Sequence, residues 1–143
     1  MDITLDVTAA PLADDLAVIG DGLAAFNESD VGPSGRLPLA VLLRDETGAV
    51  RGGLSGYTAW GWLYIQWLFV AEPLRGRGLA GRLLAAAEAA AVARGCHGAF
   101  IDTFNPRAES AYRRQGYEVF GVLPDFPVGR RRAFLQKPLG RGV

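Results

Sequence analysis

LYIQWLFVAEPLRGRGLAGRLL, residues 63–84, decides how the rest of the chain is read. Residues 63–70 form an apolar and aromatic run interrupted once, by Gln66, with Gly61 before it and Pro73 after it. That pattern predicts a strand buried on both faces. Gly76, Gly78 and Gly81 follow, and then a long alanine- and leucine-rich stretch with helical spacing. A strand that passes through a glycine-rich turn into a helix N-terminus is suited to anions. The first N–H groups of the helix lack partners, the helix dipole puts positive potential there, and glycine lets a phosphate approach the backbone. Arg75, Arg77 and Arg82 add cationic arms around the same turn. The element is expected to grip a phosphorylated small molecule.

Two familiar phosphate motifs do not account for it. A P-loop requires a lysine after its second glycine, and Lys137 is the only lysine in the chain. Gly76-Arg-Gly78-Leu-Ala-Gly81 matches the dinucleotide fingerprint Gly-x-Gly-x-x-Gly, and Asp102 follows about where a ribose-binding acid would stand. However, five residues separate the strand from Gly76, and only 41 residues follow Asp102, too few for a doubly wound sheet.

Arg75-x-x-Gly78-x-Ala80 does fit a Gln/Arg-x-x-Gly-x-Gly/Ala signature. Downstream stands Asn105-Pro-Arg-Ala108-Glu-Ser-Ala111-Tyr112-Arg-Arg-Gln-Gly116-Tyr117, which looks like an Asn-x-x-Ala…Tyr-x-x-x-Gly-Phe/Tyr block. In these two segments, and over residues 63–121, the chain resembles the GNAT superfamily of acetyl-CoA-dependent N-acetyltransferases. The resemblance implies an α/β (α+β) fold with a mixed, mostly antiparallel central sheet of about seven strands flanked by helices. Strands 4 and 5 would form a splayed parallel pair.

The totals suit one domain over residues 1–143 with a sizeable core. Fifteen basic residues balance fifteen acidic ones, which gives no electrostatic case for nucleic-acid binding. One cysteine, Cys96, and one histidine, His97, leave no internal disulfide and no multi-cysteine or histidine-rich metal site. Adjacent residues point to opposite faces of a strand, so Cys96 and His97 are read as structural rather than as a nucleophilic pair. No secretion signal or membrane-length apolar run is visible, so a cytoplasmic location without membrane association is expected.

Along the chain, alternation at Ile3, Leu5 and Val7 predicts a first strand. Pro11 opens a helix whose Leu12, Leu16, Ile19, Leu23 and Phe26 mark one buried stripe. Residues 27–36 have the composition of a loop, a region that in the resembled family often borders the acceptor site. Strands are predicted over 38–44 and 50–59, joined by a turn at 45–48. Gly52, Gly53 and Gly56 suggest bulges or close backbone approach in the second. After the strand at 63–70 comes a helix over 76–94 with Leu79, Leu83, Ala87 and Ala90 on one face, closed by Gly95. A parallel strand at 98–104 follows, then a helix capped by Asn105-Pro106, and finally an antiparallel pair at 117–122 and 132–137.

The resemblance implies residue roles. Arg75, Gly76, Arg77, Gly78, Leu79, Ala80 and Gly81 would hold the pyrophosphate of coenzyme A. The backbone of Leu68, Phe69 and Val70 would bind pantetheine and offer an N–H to the tetrahedral oxyanion, with Asn105 and Ala108 also lining the cofactor. Asn105 is equally an N-cap, and that use competes for the same amide. Tyr112 would protonate the departing thiolate. Alone it would be the packed face of a short helix, and the flanking Asn105 and Gly116 favour catalysis. No metal is implied.

The acceptor amine must lose a proton, since an alkyl amine is only about one part in 2,500 neutral at pH 7. Many family members place a carboxylate on the fourth strand for this, but here that strand has none and Gln66 is no base. Glu28, Asp30, Glu72, Asp102, Asp125 or a water chain remain open. Trp60, Trp62, Trp67 and Phe126 are candidates for an acceptor wall, or for core. Arg130-Arg131-Arg132 is read as a loop and strand edge. The expected activity is acetyl transfer from acetyl-CoA to an amine by direct attack. A small-molecule acceptor comes first, and a protein N-terminus or lysine second. A non-catalytic acyl-CoA-binding sensor and a dinucleotide-dependent oxidoreductase are the rivals, and a homodimer is left open.

Overall fold

A computed structural model describes residues 1–140, which fall into two compact units, one of residues 1–34 and one that begins at Gly35. The first unit is built on one helix, α1 (Ala13–Val31). It begins two residues after Pro11, carries Asp14 and Asp15 in its first turn, and stops at Gly32. It runs five residues past the predicted end because Asn27, Glu28, Ser29 and Asp30 do not break a helix. Gly32, at φ 88°, followed by Pro33 does. Two expectations fail here. Ile3, Leu5 and Val7 form no strand, since alternation alone supplies no partner for their N–H and C=O groups. Nor is the α1 stripe buried, with Leu16, Ile19, Leu23 and Phe26 all exposed.

The second unit is a six-stranded sheet, not seven-stranded, built from β1 (Leu37–Arg44), β2 (Val50–Ala59), β3 (Trp62–Val70), β4 (Gly98–Thr103), β5 (Glu118–Pro124) and β6 (Arg131–Pro138). Its spatial order is β1-β2-β3-β4-β6-β5. Every neighbouring pair is antiparallel except β3 and β4, which are parallel because α2 (Leu79–Ala93) crosses between them. A single 3-10 turn (Glu72–Leu74) precedes α2, and α3 (Pro106–Arg114) follows β4. The predicted strands 4 and 5 are therefore β3 and β4.

α2 lies across β1, β2 and β3. Its buried face is Leu83, Leu84, Ala87 and Ala91, so the helix starts later and is rotated slightly from the predicted stripe. Ala87 and Ala91 are fully buried in one core cluster with Leu39 of β1, Leu54 of β2, Leu63 and Ile65 of β3, Ala99 and Ile101 of β4, and Ala133 and Leu135 of β6. Between α2 and β6, Glu88 accepts from the Tyr117 hydroxyl at 2.8 Å and from Lys137 Nζ at 2.7 Å. Burial, reinforced by that carboxylate, raises the Tyr117 phenol far above its ordinary value and keeps it a donor.

β3 is not buried on both faces as its run of apolar residues suggests. Leu63 and Ile65 point to the core, but after them the parity changes, and Leu68 and Val70 are the residues that pack against it. The change occurs at Gln66. Opposite, Ser55 pairs with Trp67 and Gly56 with Ile65, so Gln66 has no partner and is a β-bulge. Gly56 permits this close approach, because a Cβ there would stand 1.8 Å from the Tyr64 carbonyl oxygen. The bulge leaves Trp67 and Phe69 exposed.

Gly56→Ala should therefore destabilise the protein by about 1–3 kcal/mol, the usual cost of overpacking against an unyielding neighbour. Denaturant unfolding measures it, and a variant as stable as the parent would contradict this account of the bulge.

Candidate active site

The bulge sits where β3 and β4 part. Their pairing runs from Trp62↔Gly98 to Ile65↔Ile101 and then stops, although β3 continues to Val70 and β4 to Thr103. Into the opening comes Tyr112 from α3, which is 6 % exposed. A cavity of about 260 Å³ lies there, lined by Gln66, Trp67, Leu68 and Phe69 of β3, Asp102 and Thr103 of β4, Phe104, Tyr112 and Arg132. Burial, with a smaller contribution from the Asp102 carboxylate, pushes the Tyr112 phenol up to about 12.

The second half of the site is the start of α2. Gly78, at φ 73°, is its N-cap and supplies no side-chain cap, and the first turn holds no acidic residue. The N–H groups of Leu79, Ala80 and Gly81 are thus left for a ligand. A Cβ at Gly76 or Gly78 would meet no protein atom within 4 Å, and both have positive φ, so the glycines serve the turn and the space above it rather than packing. A cavity of about 390 Å³ covers this turn, lined on one side by Val70, Arg75, Gly76, Gly78 and Ala80 and on the other by Arg107, Ala108 and Ala111 of α3, with Arg114 and Gln115. The two cavities share their walls: consecutive residues Phe69 and Val70 of β3, and Ala111 and Tyr112 of α3, line one each.

Eleven of the thirteen residues singled out from sequence line one cavity or the other; Arg77 and Asn105 line neither. Asn105 is the N-cap of α3, its Oδ1 accepting from Arg107 N–H at 2.8 Å and Ala108 N–H at 3.3 Å. Arg75 is partly committed to the turn, its Nε donating to the Val70 carbonyl at 2.8 Å. Arg107, Arg114 and Gln115 were missed by sequence reading. Their signal was the helical spacing they share with Ala108 and Ala111.

Among the carboxylates considered as bases, Asp102 alone lines the splayed cavity. Its Oδ1 accepts from Nε and Nη2 of Arg132, and its Oδ2 accepts from the Tyr64 hydroxyl at 3.1 Å. Glu72 lies in the 3-10 turn, Asp125 is exposed in the β5–β6 loop, and Glu28 and Asp30 belong to α1. Trp67 lines the splayed cavity, whereas Trp62 contacts His97 and Phe100 edge-on.

A splayed parallel pair beside an uncapped, glycine-rich helix start is the arrangement that the two sequence motifs imply. The sequence profile of the Acetyltransferase (GNAT) family matches residues 21–117. The chain belongs to that family. Acetyltransferase Atu2258 of Agrobacterium fabrum is 45 % identical over 119 residues, which cover 83 % of this chain and 87 % of that protein. Blasticidin-S acetyltransferase of Streptomyces morookaense is 40 % identical over 95 residues, 66 % of this chain and 70 % of that one. A crystal structure of a candidate acetyltransferase from Agrobacterium tumefaciens superimposes with a TM-score of 0.89 and 42 % identity, covering 97 % of this chain and all of the other. This GNAT chain is therefore an acyltransferase.

The Tyr112 environment has a consequence for stability. Its folded value, about 12, lies above the ordinary 10.0, so above pH 10 the unfolded chain releases this proton while the folded chain holds it. The stabilising contribution is complete below pH 10 and is lost as pH rises towards 12. Tyr112→Phe should flatten the alkaline fall in melting temperature over that window. Parallel curves for the two proteins would contradict the burial assigned to the phenol.

Proposed function

We propose that this GNAT enzyme transfers the acetyl group of acetyl-CoA to the amine of a small molecule by direct attack, with Tyr112 as general acid. The observation that carries the reading is the single continuous wall of β3 and α3 that joins the glycine-rich turn to the splayed cavity with its buried phenol.

The pyrophosphate would sit against the free N–H groups at the start of α2, flanked by Arg75, Arg107 and Arg114. Arg77, exposed and outside the cavity, adds only a screened charge. Pantetheine would follow the edge of β3 that the splay leaves unpaired, at Leu68, Phe69 and Val70, with Ala108 and Asn105 across from it. The thioester carbonyl would then lie in the opening, where a β3 N–H can receive the developing oxyanion. One such preorganised donor is worth roughly 3–4 kcal/mol.

The amine attacks the carbonyl carbon, the tetrahedral species collapses, the C–S bond breaks, and the thiolate accepts a proton from Tyr112. A phenol near 12 is a weak acid beside a thiol of ordinary value near 8.5. Much of its effect is therefore a hydrogen bond to sulfur as charge develops, not complete proton transfer. Gln66 is no base, and Asp102 is already engaged by Arg132 and Tyr64, so the acceptor proton leaves through water. A small-molecule acceptor is supported by the similarity to Blasticidin-S acetyltransferase.

Two expected outcomes test this. Gly78→Val should weaken acetyl-CoA binding by calorimetry more than Arg77→Ala does, because a branched side chain at φ 73° both strains the cap and fills the phosphate space. Equal affinities would remove the pyrophosphate assignment. Tyr112→Phe should lower turnover by about 10²-fold, the lower end for a positioned acid, with acetyl-CoA affinity nearly unchanged. In the parent enzyme the rate should climb with pH as the amine deprotonates and show no falling limb below pH 10. Undiminished turnover in the variant would make Tyr112 a packing residue.

A further inference from the structure

We propose that the acceptor carries an oxyanion, a carboxylate or a phosphonate, besides the amine that is acetylated, and that Arg132 receives it. The proposal rests on the splayed cavity being the acceptor side of the site, and it names the substrate class.

Among the described residues Arg132 is the only basic side chain lining that cavity, and its guanidinium is fixed from two directions. Nε donates to Asp102 Oδ1 at 2.9 Å and Nη2 donates to the same oxygen, while the Phe126 ring lies 4.7 Å from the guanidinium carbon. Asp102 is itself buried, its side chain 6 % exposed, and its other oxygen accepts from Tyr64. Among the described residues, Nη1 makes no hydrogen bond. A guanidinium already ordered and partly desolvated, with donors to spare in a cavity, is prepared for an oxyanion. The orientational entropy is spent in folding, and the planar fork matches carboxylate and phosphonate oxygens.

The plain alternative is a clasp between β4 and β6. The two preceding arginines are clasps between other segments: Arg130 Nη1 donates to the Phe104 carbonyl at 3.0 Å, and Arg131 Nη2 donates to Glu109 of α3 at 2.6 Å. Neither of them lines the cavity; Arg132 does. A clasp has no need of that position. The same pairing argues against an acceptor recognised by a second positive charge, because the one acidic side chain in the wall has both oxygens occupied.

The test follows free-thiol release from acetyl-CoA with matched acceptors: amino acids, their carboxamides, and aminophosphonates. The comparison is conservative, since a carboxamide lowers the pKa of its amine and supplies more of the neutral nucleophile. Acids and phosphonates should nevertheless be used about 10–100-fold more efficiently than the amides, the usual worth of a charged hydrogen-bonding partner. The difference should lie mainly in KM. Arg132→Gln should erase it while acetyl-CoA affinity is retained, and Arg132→Lys, which keeps charge but not the fork, should recover only part.

Amides used as well as acids by the parent protein would overturn the subsite, without need of any variant. If acetyl-CoA binds but no amine is acetylated, the transferase reading fails separately. Binding of the same acids to the CoA-loaded protein then decides the subsite: acids retained by the parent and lost by Arg132→Gln uphold it, and equal binding of acids and amides refutes it.

Discussion

The extra residue at Gln66 is the constraint on which the site depends. Up to Ile65, β3 is an ordinary central strand, paired with β2 on one side and β4 on the other. At Gln66 the pairing with β2 slips by one residue, and the pairing with β4 ends at the same point. A bulge bends its strand and increases the local twist. One inserted residue therefore separates the parallel pair and aims Trp67 and Phe69 away from the core. It also leaves a length of β3 edge free for another chain of hydrogen bonds. The cost is taken up opposite, where Gly56 lies closer to the Tyr64 carbonyl than any side chain would permit.

The charges are arranged around the same opening. The balanced total hides a division: residues 1–34 hold seven of the fifteen acidic side chains and no lysine or arginine, so all fifteen basic ones come after residue 34 in the sequence. Several of them ring the site. Arg75, Arg107 and Arg114 line the cavity over α2, Arg132 lines the splayed one, and Arg130 and Arg131 reach from the β5–β6 hairpin to Phe104 and Glu109. A unit of strongly positive charge with an uncapped helix start in its cleft is fitted to a polyanionic cosubstrate, both for encounter and for holding. The overall neutrality of the chain could not show this local excess.

What could be read from the chain was what short-range rules specify. Asn105-Pro106 started α3 and Gly95 ended α2 because capping chemistry is local, and Gly78 took the left-handed conformation its turn required. The alternation at residues 3–7 failed as a strand signal because a strand exists only with a partner. The helix α1 outruns its predicted end because polar residues alone set no boundary, and only Gly32-Pro33 enforces one. Gln66 was visible as the single polar residue in its run, but its meaning depended on β2, paired through a separate turn. Arg132 and Asp102 are thirty residues apart, and no spacing rule connects them. The motifs pointed to residues that line the cavity over α2, while Asp102 and Arg132 of the splayed cavity come together only through long-range contacts.

The proton economy follows from the same geometry. The packing of Tyr112 in the splay keeps away the water that would stabilise its phenolate, which is why its value rises to about 12. That makes it a poor proton source for a thiolate in water. The departing sulfur, however, would share the same dry opening, and desolvation raises the basicity of a thiolate as it does that of a phenolate. The mismatch between acid and leaving group therefore narrows within the site, and a hydrogen bond between them strengthens as the local dielectric falls. A phenol suits this position better than a carboxylic acid, which would ionise at neutral pH and repel the thiolate. The acceptor amine needs the opposite environment, a wet path along which to lose its proton. The cleft would meet both demands by setting the buried Ile101 and Tyr112 beside the polar Gln66, Asp102 and Arg132, brought together by a strand that bends at Gln66.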